Sequence, residues 1–402
     1  MSEASPDSLL ISQPIKIGSL QLPNRIVKAA MVENMATEQG EVTEKLIKFY
    51  QKQAQGGAGL LITGGAYVQR NGRSVRYLIG VYDDSLIPGL SRLAEEVHKL
   101  GAKIVLQIYH CGRQTQPELV GGDVIAPSPV KDRLTGIIPR AMTEREIEET
   151  IRAFALGARR AKSAGFDGVE VLAGHGYLLS QFLARRTNKR IDRWGGDLPA
   201  RSRFLFEIIR AIRQEVGRDF PLLVKINSED QIKDGFSVEE CGWVVERLEE
   251  LGVDAIKLTG GTFESGLNIS RGDIPEEEVL EGIRGFKRFR YKLIIRAMRK
   301  RFQFQEAYFL ENARKIKPKI KIPLILVGGI RTPLVMEEIL REGSADLVAL
   351  GRPLIRQPDF PQKILSGDTS PASCLNCNRC FILIAREKPL RCYGQDKIKS
   401  ER

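Results

Sequence analysis

The sequence predicts a (β/α)8 barrel, because short apolar runs alternate with amphipathic stretches, eight such runs occur, and glycine turns close the last two. The runs are rich in Val, Ile and Leu and fall near Ile26–Ala29, Gly59–Thr63, Ile104–Ile108 and Gly168–Leu172, then Leu222–Ile226, Ala255–Leu258, Leu324–Val327 and Leu347–Leu350. Helical periodicity fills the gaps, as in Glu144–Ala164, Arg201–Val216 and Val238–Leu251. A doubly wound sheet is the alternative, but no GxGxxG follows the first run. Ahead of it, Ile15-Lys-Ile-Gly-Ser-Leu-Gln-Leu places apolar pairs around a Gly-Ser turn and predicts a hairpin under the barrel floor. Residues 262–319 exceed one loop and one helix, so they are read as an excursion above the mouth. The barrel is thus expected over residues 1–365, with residues 366–402 as a small cysteine-rich appendage.

Hydrophobic residues at 42% and charged residues at 28% suit a globular enzyme. No run approaches the roughly 18–20 apolar residues of a membrane span. Met1 to Pro14 carries Glu3 and Asp7 and no basic stretch leading into an apolar one, so no leader and a cytoplasmic location are expected. The net charge of +12 is concentrated: Arg284–Arg301 holds nine Lys or Arg and no acid, interleaved with Phe286, Phe289 and Tyr291. That pattern reads as an exposed amphipathic helix or a site for an anionic partner. No nucleic-acid motif accompanies it, so nucleic acid is not expected.

The clearest chemical signal is a pair of turns, Val327-Gly-Gly-Ile-Arg331 and Leu350-Gly-Arg352. After strands seven and eight of a barrel, bare glycine N–H groups and an Arg make a phosphate site. A phosphosugar enzyme would show the same turns.

Longer motifs separate these readings. Gly168-Val-Glu-Val-Leu-Ala-Gly-His-Gly-Tyr-Leu-Leu-Ser-Gln-Phe-Leu183, followed by Arg186-Thr-Asn-Lys-Arg-Ile-Asp-Arg-Trp-Gly-Gly196, resembles the signature of the Old Yellow Enzyme family. Leu22-Pro-Asn-Arg-Ile-Val27 and Leu106-Gln-Ile-Tyr-His-Cys-Gly-Arg-Gln114 are similar in the same order, so the resemblance spans the barrel. It implies FMN at the mouth, with NAD(P)H as reductant and a small-molecule substrate. Gln107 would meet the pyrimidine edge of the ring, an amide offering both a donor and an acceptor. Lys225 stands where the family often has Arg, and keeps the charge without the fork. Ala30, Met31 and Gly65 would line the other edge, and Gly329, Arg331, Gly351 and Arg352 would hold the phosphate.

The family reduces an activated alkene: hydride comes from flavin N5, a histidine pair or His/Asn pair polarises the carbonyl, and a Tyr delivers the proton. By this resemblance Tyr177 is the proton donor and His175 the second member of the pair. Leu172 occupies the first position and donates nothing, a loss typically worth about 3–4 kcal/mol per donor. Val32 and Asn34 also depart from the residues common there. His110 matches a structural position, and Glu33 and Asp230 receive no role.

Four of the six cysteines crowd into Cys374-Leu-Asn-Cys377-Asn-Arg-Cys380 and Cys392. Three close thiolates and a distal fourth suit a [4Fe–4S] cluster; zinc or free thiols are the alternatives. The pattern resembles the branch of the family that includes trimethylamine dehydrogenase and dienoyl-CoA reductase, which carry a further FAD-binding region not found in these 402 residues. A ferredoxin or flavoprotein electron partner follows from that reading. Its rival is a non-catalytic flavin or cluster subunit of a larger electron-transfer complex.

Overall fold

The computed structural model describes residues 9–394; the leader reading over Met1–Ser8 and the last residues of the cysteine-rich segment lie outside them. Eight parallel strands form the ring: β1 (Ile26–Lys28), β2 (Leu60–Ile62), β3 (Ile104–Tyr109), β4 (Val169–Ala173), β5 (Leu222–Asn227), β6 (Ala255–Thr259), β7 (Leu324–Val327) and β8 (Leu347–Leu350). Each pairs with the next, β8 pairs with β1, and β2 pairs with β3, so the sheet closes on itself. The predicted barrel is the observed one. A two-residue strand, Ala66–Tyr67, adds to the edge of β3.

The helices of the ring are α1 (Glu44–Ala54), α2 (Ile87–His98), α3 (Glu144–Ser163), α4 (Leu198–Val216), α5 (Val238–Glu250), α6 (Leu310–Ile316), α7 (Pro333–Arg341) and α8 (Phe360–Leu365). Their starts are written in the sequence. Thr143 with Glu146, and Ser237 with Glu240, form capping boxes that satisfy free N–H groups at the starts of α3 and α5. α4 begins earlier than its apolar period suggests, because Asp197 caps it and a proline occupies its first turn.

Strand alternation sorts side chains into two cores. Ile104, Leu106, Val169, Val171, Leu222, Val224, Ile256 and Leu258 point outward to the helices. Val27, Leu60, Val105, Leu223, Ala255, Ile325 and Leu347 point into the ring, where Ile17, Leu20 and Leu22 of the predicted hairpin close the floor. Above this apolar layer the inward positions turn polar. Lys257 and Glu170, both fully buried, form an ion pair at 2.6 Å.

Between β6 and α6 runs an elaborated segment with a short helix, Glu276–Leu280, and the basic helix Gly285–Arg301. Only Ile295 of the basic helix is buried. Among the described residues no helix is long and apolar enough to cross a membrane.

Breaking the interior pair leaves a charge with no water to relax it. Lys257→Met should therefore cost about 3–5 kcal/mol, read as a lower denaturation midpoint. Adding Glu170→Gln should recover most of the loss, and a single variant as stable as the parent would refute the assignment.

Candidate active site

The C-terminal ends of the strands open into a cavity of about 530 Å³, within the range of cofactor and substrate sites. Ala30, Met31, Gly65, Gln107, His175, Tyr177, Lys225, Gly329, Gly351 and Arg352 all line it. Arg331 does not. Its side chain turns to the cysteine segment, donating to the Cys374 carbonyl at 3.1 Å with its guanidinium 5.8 Å from the Phe304 ring.

The polar inner wall is built from β3 to β6. The Gln107 side-chain N–H donates to Glu170 Oε1 at 2.5 Å, and Lys257 donates to the same oxygen at 2.7 Å. With its amide nitrogen turned to Glu170, Gln107 keeps a carbonyl oxygen for a ligand donor. Lys225 lies beside Lys257 in register and has no hydrogen bond or ion pair to its amine among the described residues. Burial and the Lys257 charge lower its pKa to about 7. An amide acceptor beside an unpaired buried amine fits the alternating N–H and carbonyl edge of a flavin.

The opposite wall is backbone. Gly328 and Gly329 take φ of +142° and +74° as the chain leaves β7. A side chain at Gly329 would press within 2.8 Å of the Gln305 carbonyl and the Tyr308 ring. At Gly351 it would meet Met31 Sδ at 3.3 Å. Arg352 stands at the next residue and donates to Asn378 Oδ1 at 2.6 Å. Bare glycine turns with an adjoining guanidinium fit a phosphate.

His175 sits on a left-handed turn, φ +60°, fixed where its N–H donates to Asn227 Oδ1 at 3.0 Å. Asp230 in turn accepts from the Asn227 amide at 2.7 Å. The His175 ring lies 2.9 Å from the Thr259 hydroxyl through Nε2. Burial, with Lys225 and Lys257 nearby, drives its pKa well below the usual histidine range, so the ring is neutral. Tyr177 is edge-on to Tyr109 at 5.1 Å and to Phe263 at 5.4 Å. Burial raises its pKa, against an opposing hydrogen bond from Ser74, so it carries its proton at neutral pH. Ser74 also meets the Tyr109 hydroxyl at 2.8 Å. Leu172 packs with Tyr67, Leu78, Tyr109 and Tyr177 and brings no donor. His110 lies buried below, bonded to Asn71 and to the Gly112 N–H.

The roof comes from the cysteine segment. Phe381, Ile382, Ile384 and Ala385 line the cavity from a short helix, Arg379–Ile384, and the residue after it. Asn34, itself at φ +51°, pins this helix by donating to the Ile384 carbonyl at 2.8 Å, and Leu390 N–H donates to the Glu33 carbonyl at 2.7 Å. Cys374, Cys377, Cys380 and Cys392 line a second, small cavity with Arg352 and Arg356. Among the described residues no three Cys, His, Asp or Glu side chains converge as ligands of a single ion.

Sequence reading missed Glu170, Lys257, Thr259, Ser74 and the roof. The first two had a signal: each is a lone charge flanked by apolar residues within a doubly buried strand, Val169-Glu-Val171 and Ile256-Lys-Leu258.

Residues 11–265 and 284–370 match the NADH:flavin oxidoreductase / NADH oxidase family. A metal reductase of Desulforamulus reducens is 39% identical over 96% of this chain and 53% of its own length. An NADH oxidase of Thermoanaerobacter brockii is 38% identical over 90% of this chain and 52% of its own. The chain thus spans about half the length of these relatives. A solved 2-naphthoyl-CoA reductase, in complex with 2-naphthoyl-CoA, superposes with a TM-score of 0.82 at 31% identity, covering 95% of this chain and 56% of that one. With barrel, cavity and motifs in agreement, the chain belongs to the NADH:flavin oxidoreductase / NADH oxidase family, as its resemblance to Old Yellow Enzyme implied.

Proposed function

We propose that the chain is an FMN-dependent NAD(P)H:acceptor oxidoreductase that reduces an unsaturated, electron-poor substrate. The observation that supports this best is a single cavity joining glycine turns, the Gln107–Lys225 wall, and His175 with Tyr177. FMN bound there would supply hydride chemistry between reduced nicotinamide and the substrate. Gln107 and Lys225 would hold the polar ring edge, Ala30, Met31 and Gly65 the remaining edge, and Gly329, Gly351 and Arg352 the phosphate. Arg331 would act one step back, by holding the Cys374 carbonyl.

His175 is neutral, so its ring carries one N–H. If Thr259 donates to Nε2, the proton sits on Nδ1; if Thr259 accepts, its own hydroxyl proton is released. Either arrangement offers the substrate one hydrogen bond, and Leu172 adds none. A site with one donor favours substrates more strongly activated than a simple enone. The likeness to a 2-naphthoyl-CoA reductase supports an unsaturated acyl compound. Tyr177 holds a proton at neutral pH and delivers it to the substrate carbon. The apolar roof of Phe381, Ile382 and Ile384 excludes water during that transfer.

The four cysteines would carry a [4Fe–4S] cluster, zinc being the alternative. All four thiols line one small cavity, and a cube takes one thiolate on each iron. Arg352 and Arg356 offset the thiolate charge. A ferredoxin or flavoprotein would then exchange single electrons with the chain in the cytoplasm. We read the barrel as residues 1–365, interrupted at 262–319, with 366–402 as the ligand-bearing tail. The second reading, a partner-dependent electron-transfer subunit, is favoured by Leu172 alone.

Anaerobically purified protein should show flavin absorbance bands and roughly four irons per chain; flavin with zinc or no metal refutes the cluster, and no flavin refutes the proposed function. Tyr177→Phe should slow oxidation of the reduced protein by ketoisophorone, an enedione activated by two carbonyls, at least about 100-fold and leave reduction by NADPH nearly unchanged. Equal slowing of both half-reactions in stopped-flow would remove Tyr177 from proton delivery. With a pKa lowered to about 7, Lys225 would take up a proton on reduction of a bound flavin above that pH. The flavin midpoint potential should therefore fall about 30 mV per pH unit more steeply above pH 7 than in Lys225→Met. Parallel potential curves for the two proteins would exclude that coupling.

A further inference from the structure

We propose that the outward face of the basic helix, Gly285–Arg301, is the docking surface for an acidic electron-carrier protein. The carrier's role rests on the oxidoreductase reading above; the surface itself rests on the helix.

The helix has two unlike sides. Its inner side is committed: Ile295 is buried, Met298 lines the cavity, and Arg288 donates to the Leu280 carbonyl at 2.8 Å. Arg299 pairs with Asp273 at 2.7 Å, and Lys292 with Glu276 at 3.5 Å. Among the described residues the outer side has no such partners. Phe286 is 76% exposed, Phe289 57%, Leu293 52% and Ile294 47%. Phe286, Phe289, Leu293 and Ala297 recur at helical spacing and so form one stripe, its two phenyl rings 6.4 Å apart. Arg290, Arg296 and Lys300 lie within or beside that stripe, and no ion pair holds them or Lys287 among the described residues.

A contiguous exposed apolar stripe with arginines among aromatics has the composition of a protein interface core. Insertion into lipid needs the apolar face separated from the cations; here the two are interleaved on the same face. The complementary surface is an apolar patch ringed by carboxylates, which long-range attraction would steer to this helix.

Position supplies the redox role. Met298 places the helix at the wall of the proposed flavin cavity. The helix Glu276–Leu280, which Lys292 and Arg299 grip through Glu276, is tied to the cysteine helix by Arg379 and Glu278 at 2.8 Å. A docked carrier therefore lies over the wall between solvent and both proposed redox groups. Each docking oxidises the carrier by one electron; two dockings supply the pair that one substrate reduction consumes, with protons drawn from solvent.

The test uses the full chain and two acidic probes, a flavodoxin and a plant-type ferredoxin, each labelled for fluorescence anisotropy. At least one should bind, weakening as salt rises from about 50 to about 200 mM. Lys287→Glu/Arg290→Glu/Lys300→Glu and Phe286→Ser/Phe289→Ser should each raise Kd about tenfold or more. Both variants should keep the parent melting temperature and NADPH-driven turnover. Binding of neither probe, binding indifferent to salt, or binding unaffected by both variants overturns the proposal. So does transfer of the helix's effect to phosphatidylglycerol vesicles or a short DNA oligonucleotide. Carrier binding intact in a chain without flavin or turnover would sink the oxidoreductase reading and leave the docking surface standing.

Discussion

The buried ion pair between Lys257 and Glu170 is the constraint on which the site depends. Both side chains are fully enclosed by the ring, so neither charge can be relaxed by water, and Glu170 must accept every donor within reach. It accepts from Lys257 and from Gln107. That second bond decides which end of the Gln107 amide faces the cavity. Burial lowers the pKa of Lys225 and of His175, and the Lys257 charge adds to both shifts. The pair thus sets the orientation of an amide and contributes to the electrostatics of an amine and an imidazole beside it.

The pair can exist there because the barrel is layered. Period-2 alternation sends one residue in two to the interior, and the sequence fills the lower inward positions with Leu223, Ala255, Ile325 and Leu347. The hairpin residues Ile17, Leu20 and Leu22 stop water from below. One step higher, the same alternation brings Glu170, Lys225 and Lys257 inward. Interior charge thus lies above that apolar layer, and Lys225 carries it to the cavity at the end where the glycine turns begin. Function concentrates there for the same reason: only at the strand ends do inward side chains meet open space rather than another layer.

Much of this was legible in the chain. The strands are buried on both faces, so they read as continuous apolar runs; β7 and β8 occur with the expected limits, while β5 and β6 run one residue further, to Asn227 and Thr259. Those extra residues matter, since Asn227 fixes the His175 backbone and Thr259 meets its ring. The motif places His175, Tyr177 and Gln107 because local turns carry them, and local geometry is what a motif records. Direction at the end of a long side chain is not recorded. Arg331 follows the phosphate turn in sequence yet reaches the other way, to the Cys374 carbonyl. The contact from Asn34 to Ile384 joins residues 350 positions apart, and neither has a sequence pattern that names the other.

That distant contact changes what the cysteine segment is. Phe381 stacks 6.4 Å from Phe263, and Phe263 lies edge-on to Tyr177. The proposed proton donor is therefore held in an aromatic row whose last member belongs to the tail. The tail is held in turn by the barrel, through Glu33, Asn34, Arg331 and Arg352. Without the short helix Arg379–Ile384 the cavity loses the apolar surface that closes it, and Tyr177 loses the packing behind Phe263. The ordering of residues 374–392 is therefore felt in the cavity through van der Waals contact, which needs no change in the barrel itself.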